Sequence, residues 1–303
     1  MTDAATRDRA MGAWIGLAVG DALGTTLEFR PRDTYEPLTD MVGGGPFGLE
    51  PGEWTDDASM AWALAASLAA HPGFDPHDLM ERFLAWRDRG EYASNGRCFD
   101  IGSTVAAALR AFEATGDPFR GPTGEYDAGN GSLMRLSPVA LWGLGHEKDE
   151  VRRVAREQSR TTHGATACLD ACEAFAVILC DTIGGSAKAD VLDAAGRTHA
   201  TGEIGAVLDG QWRGKARVDI HASGYVAHTL EATLWCVART DDFRSAVLMA
   251  ANLGEDADTT AAVTGQLAGA LYGLAAIPAE WIDRLARRHE LVAVAERLLK
   301  DRG

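Results

Sequence analysis

Two short runs of hydroxyl and carboxylate side chains stand out in the sequence. Thr55-Asp56-Asp57 immediately precedes the apolar stretch 58–70, and Gly254-Glu255-Asp256-Ala257-Asp258-Thr259 opens a second stretch rich in small residues. Taken singly, each run reads as a helix start, because Thr and Asp are ordinary N-caps and acids in a first turn complement the helix dipole. Together they suggest more. Asp256 and Asp258 lie two apart, which in a turn lets both carboxylates point toward one locus, and both runs hold the same elements. If the fold joins Thr55-Asp56-Asp57 to Asp256, Asp258 and Thr259, four carboxylates and two hydroxyls converge. Such anions raise one another's pKa unless cations hold them ionised. Oxygen donors without Cys or imidazole select Mg²⁺, Mn²⁺ or Ca²⁺ over zinc or copper, so the pattern points to a two-metal centre.

A third run, Gly129-Asn130-Gly131-Ser132-Leu133-Met134-Arg135, has the composition of a diphosphate cradle. Glycines let backbone N–H groups approach an anion, and asparagine tolerates the left-handed conformation of a nest, although Gly-Asn-Gly is also a common turn. Arg135 is a candidate phosphate partner or half of a structural ion pair. His163 reads by itself as a cap or a satisfied core residue, Tyr225 as a core aromatic at a helix start, and Asp100 as an N-cap of a helix from Ser103.

The elements that must position these residues are helices. Apolar residues recur at three and four positions and alternating β-branched runs are nearly absent, so the chain is expected to be all-α. The pattern places helices over 7–27, 58–70, 76–89, 103–114, 148–160, 165–183, 187–199, 225–237, 243–252, 258–272 and 278–299. Asp75 before Pro76, and the pair Asp241-Asp242, read as caps. The Gly265, Gly269, Gly273 series reads as close helix packing. Two long interruptions, 29–54 and 115–135, mark where function is expected, because loops of this length inside a domain are uncommon.

Composition bounds the alternatives. The chain has 303 residues, and 29 Lys plus Arg against 44 Asp plus Glu give a net charge of −15. That balance argues against sequence-independent nucleic-acid binding, which needs a basic surface. The opening segment lacks the order of a secretion signal, and the weakly polar run 261–277 is short of the roughly 20 residues that span a bilayer. No membrane association is expected. Five cysteines without a CxxC pair read as buried thiols of a cytoplasmic protein, although Cys168, Cys172 and His163 share a helix neighbourhood. With no repeat, linker or composition shift, residues 1–303 are expected to form one domain, and with no apolar helix face left unassigned, a monomer.

The motifs also resemble, in order and nearly end to end, those of the ADP-ribosylglycohydrolases, with most likeness to the dinitrogen-reductase-activating branch that acts on ADP-ribosylarginine. The matching segments are Gly20-Asp21-Ala22-Leu23-Gly24 with Glu28, Trp54-Thr55-Asp56-Asp57, the 129–135 run, Thr162-His163, Ser223-Gly224-Tyr225 and the 254–259 run. The resemblance implies a single compact, orthogonal all-α domain with a binuclear Mg²⁺ or Mn²⁺ centre at the bottom of an ADP-ribose cleft. It implies Thr55, Asp56, Asp57, Asp256, Asp258 and Thr259 as metal ligands, with Asp56 serving the reaction too. It implies Glu28 over the metals and Asp100 as an acidic residue that assists catalysis, with both handling protons and either one the acid or the base. Gly129, Asn130, Gly131, Ser132, Met134, Arg135 and His163 become expected substrate contacts, with Tyr225 stacking on adenine. The implied reaction is hydrolysis of mono-ADP-ribose from arginine side chains of proteins. Family members that cleave ADP-ribosylserine, poly(ADP-ribose) or O-acetyl-ADP-ribose, and relatives that only bind, are the alternatives. The flanks, including Trp54, Gly164 and the Pro-rich run 30–46, need not match that branch, which leaves the acceptor protein open.

Overall fold

The computed structural model describes residues 3–196 and 198–300, without the side chain of Glu125. Its helices are α1 (Ala4–Gly24), α2 (Asp56–Ala70), α3 (Pro76–Arg89), α4 (Ser103–Thr115), α5 (Ser137–Gly143), α6 (Lys148–Thr162) and α7 (Thr166–Ile183), then α8 (Lys188–Leu192), α9 (Gly202–Leu208), α10 (Val226–Ala238), α11 (Phe243–Ala251), α12 (Ala257–Tyr272), α13 (Ala279–Arg284) and α14 (Arg288–Lys300). Among the described residues there is no strand, only the isolated bridges Gly44 to Leu49 and Gly129 to Tyr225. The all-α expectation holds.

The architecture is built on α1 and α12, which run antiparallel with backbone against backbone. A Cβ on Gly12 would lie 2.2 Å from the carbonyl oxygen of Gly269, on Gly16 2.3 Å from that of Gly265, and on Gly20 2.2 Å from that of Ala261. Conversely, a Cβ on Gly265 or Gly269 would meet the Gly16 or Gly12 oxygen at 2.0 Å. Only glycine permits such an approach. The expected packing role therefore holds for Gly265 and Gly269, and also for Gly273, which ends α12 at a φ of +84° and whose carbonyl carbon would lie 2.7 Å from a Cβ on Gly12. From Ala10 onward α1 is buried all round, and it is the helix whose length and apolarity would suit a bilayer. Its apolar surface is spent inside the protein, 94 % of that window being buried.

Several expected ends are right for the expected reason: Asp75 caps α3 through the His77 and Asp78 N–H groups, and Asp242 caps α11 through Ser245. Others differ. The stretch 187–199 is helical only over Lys188–Leu192, after which Asp193 and Gly196 (φ +70°) leave helical geometry. The stretch 278–299 is split at Leu285–Arg287, where the Ala286 N–H donates to the Gly52 carbonyl and a Cβ on Gly52 would sit 1.9 Å from the Arg284 oxygen. The long loop 29–54 thus overrides helix propensity by docking there. The same loop is pinned by Arg32, which donates to the Leu253, Arg217 and Ile220 carbonyls, and by Asp40, which accepts from Trp281 Nε1 at 2.6 Å. Helices α5 and α9 were hidden by their brevity.

Candidate functional site

The N-termini of α2 and α12 meet beside the C-terminal end of α1, and neither is capped by its own residue. Thr55 and Asp256 occupy the N-cap positions without a side-chain cap bond. Instead, Asp21 of α1 accepts the Thr55 N–H and hydroxyl on Oδ1 and the Ala58 N–H on Oδ2, all at 2.9 Å. Glu28, just past the 3₁₀ turn Thr25–Leu27, accepts the Ala257 N–H at 2.8 Å and the Asp258 N–H at 3.4 Å on one oxygen. Capping from outside leaves the side chains of Asp56, Asp57, Asp256 and Asp258 for another task. The plain cap reading of both runs is therefore corrected.

That task is visible in the spacing. Asp21, Asp57 and Asp258 each bring an oxygen within 4.8 Å of the others, and so do Glu28, Asp256 and Asp258, so Asp258 belongs to both groups. The Thr55 hydroxyl lies 3.2 Å from Asp258 Oδ2, and the Thr259 hydroxyl 3.4 Å from Asp57 Oδ2. Asp57 Oδ1 is buried without a hydrogen-bond partner, an expensive state for a carboxylate oxygen unless a cation covers it. These all-oxygen groups fit two hard divalent cations. Asp56 belongs to neither triad and faces the cavity above them. Asp21, quoted above only within a matching motif, joins them. Its signal was a lone carboxylate in the apolar run of α1, which is costly to bury without partners.

Electrostatics agree with the geometry. Burial first, and repulsion from Asp258 second, push the Asp21 carboxyl up to about 7, Asp256 to about 7, Asp100 to about 8 and Glu28 to about 12. Asp56 and Asp57 are also displaced well upward, by burial and then by neighbouring carboxylates. The cluster thus holds more negative charge than it can carry alone.

Over this floor opens a cavity of about 660 Å³, within the range for a small-molecule site. Its walls include Glu28, Phe29, Asp56, Asp100, Gly129–Gly131, Met134, His163, Ser223, Glu255 and Asp256. Three non-glycine residues of the wall take left-handed backbone: Phe29 (φ +60°), Asp100 (φ +58°) and Glu255 (φ +60°). Such conformations persist only where surroundings fix them, and they gather at functional sites. Asp100 is not the cap of α4, since Gly102 occupies that position.

The 129–135 run reaches the cavity by a different route from the one expected. None of Gly129, Asn130 and Gly131 has a positive φ, so they do not form a left-handed nest. Their glycines make room for His163: a Cβ on Gly131 would lie 2.7 Å from its ring. Asn130 donates to Asp256 Oδ2 at 2.7 Å and to the Thr229 hydroxyl at 2.9 Å, bracing a triad member. Burial pushes His163 down to about 3, and its Nδ1 lies 2.9 Å from the Thr162 hydroxyl, so the ring is neutral.

Ser132 and Arg135 turn away from the cavity. The Ser132 hydroxyl accepts from Ser159 at 2.8 Å, and the fully buried Arg135 guanidinium donates to the Gln158 side chain at 2.9 Å and its carbonyl at 2.8 Å, 4.8 Å from the Phe83 ring. Arg135 as a phosphate contact is thus corrected, and so is the ion pair, since its partners are neutral. Tyr225 pairs its backbone with Gly129, and its ring stands edge-on to His228 at 5.1 Å, one residue beyond the Ser223-Gly224 wall. Cys168 and Cys172 are buried thiols with no metal-ligating arrangement among the described residues.

Comparison with known proteins matches this geometry to a family. The family model described as ADP-ribosylglycohydrolase matches residues 2–303. An ADP-ribosylarginine hydrolase Tri1 of Serratia proteamaculans is 44 % identical over 96 % of this chain and 79 % of its own length. The ADP-ribosyl-[dinitrogen reductase] glycohydrolase of Rhodospirillum rubrum is 36 % identical over 96 % of this chain and 94 % of its own. A solved structure titled ADP-ribosylglycohydrolase-related protein complex superimposes with a TM-score of 0.86 at 41 % identity, covering 97 % of this chain and 98 % of that one.

Proposed function

Because this chain belongs to the ADP-ribosylglycohydrolase family, we propose that it hydrolyses mono-ADP-ribose from arginine side chains of modified proteins, using two divalent cations. The observation that carries the reading is Asp258, shared by two oxygen-only triads at the floor of the cavity. The choice of arginine is supported by relatives named for that substrate at 44 % and 36 % identity.

Asp21, Asp57 and Asp258 would hold one Mg²⁺ or Mn²⁺ and Glu28, Asp256 and Asp258 the other, with Thr55 and Thr259 hydroxyls alongside. Bound cations supply positive charge that polarises substrate oxygens and water. The chain supplies the rest. In the reaction the bond from ribose C1″ to the guanidine nitrogen breaks, a water oxygen takes its place, and a proton passes to the leaving nitrogen. The transition state is oxocarbenium-like, and the carboxylates Asp56 and Asp256 face the space where that positive charge grows. Asp100 stands at the cavity wall, placed to pass a proton to the leaving nitrogen, and its burial favours the protonated carboxyl. Glu28 orders the α12 terminus through Ala257 and thereby the direction of Asp256 and Asp258. Gly129, Gly131, Met134 and neutral His163 form the wall against which ADP-ribose would lie.

All five cysteines are free thiols, which fits a reducing cytoplasm. We take residues 1–303 as one glycohydrolase domain acting as a monomer on ADP-ribosylated protein, with no role on nucleic acid or membrane. The deciding experiment follows ADP-ribose release from arginine-modified and serine-modified peptides with Mg²⁺, with Mn²⁺ and with chelator. Metal-dependent release from the arginine peptide is expected. Serine-only release would keep the site and change the substrate, and binding of ADP-ribose without release from either would make the protein a reader or a hydrolase of another ADP-ribose linkage.

A further inference from the structure

The mouth of the cavity carries an aromatic strip that the hydrolytic site does not use. Phe29 is 65 % exposed although it lines the cavity, and its ring stands 6.3 Å from Phe47, which stands 5.2 Å from Phe99. The strip therefore runs from the residue after Glu28 to the residue before Asp100. An exposed phenylalanine in left-handed backbone gains little from burial, yet its position is fixed twice: the Phe29 N–H donates to the Glu255 carbonyl at 2.7 Å, and the Glu255 N–H to the Arg30 carbonyl at 2.8 Å. That pairing also fixes Glu255, itself exposed and on the same wall. Among the described residues no Lys or Arg lines the cavity.

An aromatic face beside an exposed carboxylate, with no Lys or Arg side chain to compete for it, is the environment a guanidinium selects. That ion is planar, weakly hydrated, stacks on rings and pairs with carboxylates. We propose that Phe29, held beside the exposed Glu255, is the specificity residue that receives the guanidinium of the modified arginine. The proposal rests on the function read above and adds which residue chooses the acceptor. A neutral serine acceptor gains nothing from the ring's quadrupole. Phe47 and Phe99 hold the ring between the two acidic loops and offer apolar surface to the residues flanking the arginine.

The test is steady-state hydrolysis of an ADP-ribosylarginine peptide by wild type, Phe29→Ala, Phe29→Leu and Phe29→Tyr, with ADP-ribose affinity measured by calorimetry on each. Ala and Leu are expected to raise KM about five- to tenfold, the scale of a partly desolvated cation–π contact, with kcat and ADP-ribose affinity within about twofold. Tyr restores the aromatic face and is expected to restore KM. Leu keeps the bulk without the quadrupole, so a wild-type KM in the Leu variant overturns the proposal. So does a KM rise matched by an equal loss of ADP-ribose affinity, which would place Phe29 on the nucleotide side. If wild type itself leaves the arginine peptide intact, the functional reading fails first and this inference with it; if wild type cleaves it and all variants match wild type, only the inference fails.

Discussion

Asp21 and Thr55 are joined twice through one atom: Oδ1 of Asp21 accepts both the backbone N–H and the hydroxyl of Thr55, each at 2.9 Å. The second oxygen holds Ala58, so one side chain of α1 sets where α2 begins and how Asp56 and Asp57 point. In the presence of Mg²⁺, Asp21→Ala is expected to cost about 2–5 kcal/mol in urea unfolding, because two buried N–H groups lose their acceptor. Asp21→Asn should cost less, since its amide oxygen can still serve Thr55 while its NH₂ faces the Ala58 N–H. An Ala variant as stable as wild type would show that the cap is dispensable.

The clustered carboxylates give the metal-free protein an inverted pH profile. Asp21, Asp100 and Asp256 titrate near 7, 8 and 7 when folded, against an ordinary 3.8. Between these limits the folded state binds more protons than the unfolded chain, so stability falls most steeply as pH rises from about 4 to about 8, and keeps falling above that while Glu28 still holds its proton. Melting temperature in chelator should therefore decline across this window, and saturating Mg²⁺ or Mn²⁺ should recover most where the decline is largest. A flat or rising profile in chelator contradicts the cluster's charge state.

Asp258 belongs to both triads, so its removal should act on both at once. Asp258→Ala is expected to lower metal-dependent ADP-ribose release at least about 100-fold, the upper end of what outer-shell losses cost at metal sites. The helical circular dichroism signal should persist. Retained turnover would remove Asp258 from the metal centre.

Arg135 offers the opposite signature. Its guanidinium is buried among Gln158, Thr161 and Phe83, and desolvation pulls it down to about 9. Arg135→Met should lower stability by about 2–4 kcal/mol through unpaired Gln158 groups while changing ADP-ribose affinity less than about twofold. A large loss of affinity without destabilisation would return Arg135 to phosphate binding.

Helix class and most helix positions were legible because apolar spacing reports burial directly. The Asp/Thr runs were legible as a metal site only as a pair, since each alone satisfies the grammar of a cap. What stayed hidden depends on contacts distant in sequence. Nothing local says that Asp21 and Glu28 do the capping, that Gly131 makes room for His163, or that Arg135 faces inward. The break at Leu285–Arg287 likewise follows from Gly52, more than 200 residues earlier.

Descent gives this chain unequal freedom along its length. An inserted or deleted residue within α1 or α12 turns everything beyond it by about 100° around the helix axis. Where Gly16 and Gly265 touch through their backbones, the turn would drive a side chain into a carbonyl and swing Asp21 or Asp258 out of reach of its partners. Loops pass lengthening on to no one. Changes in chain length should therefore collect in connectors such as 29–54, at the acceptor's side of the cavity, so that the range of proteins served can drift while the count of residues from Gly12 to Gly24 and from Ala257 to Gly269 stays frozen.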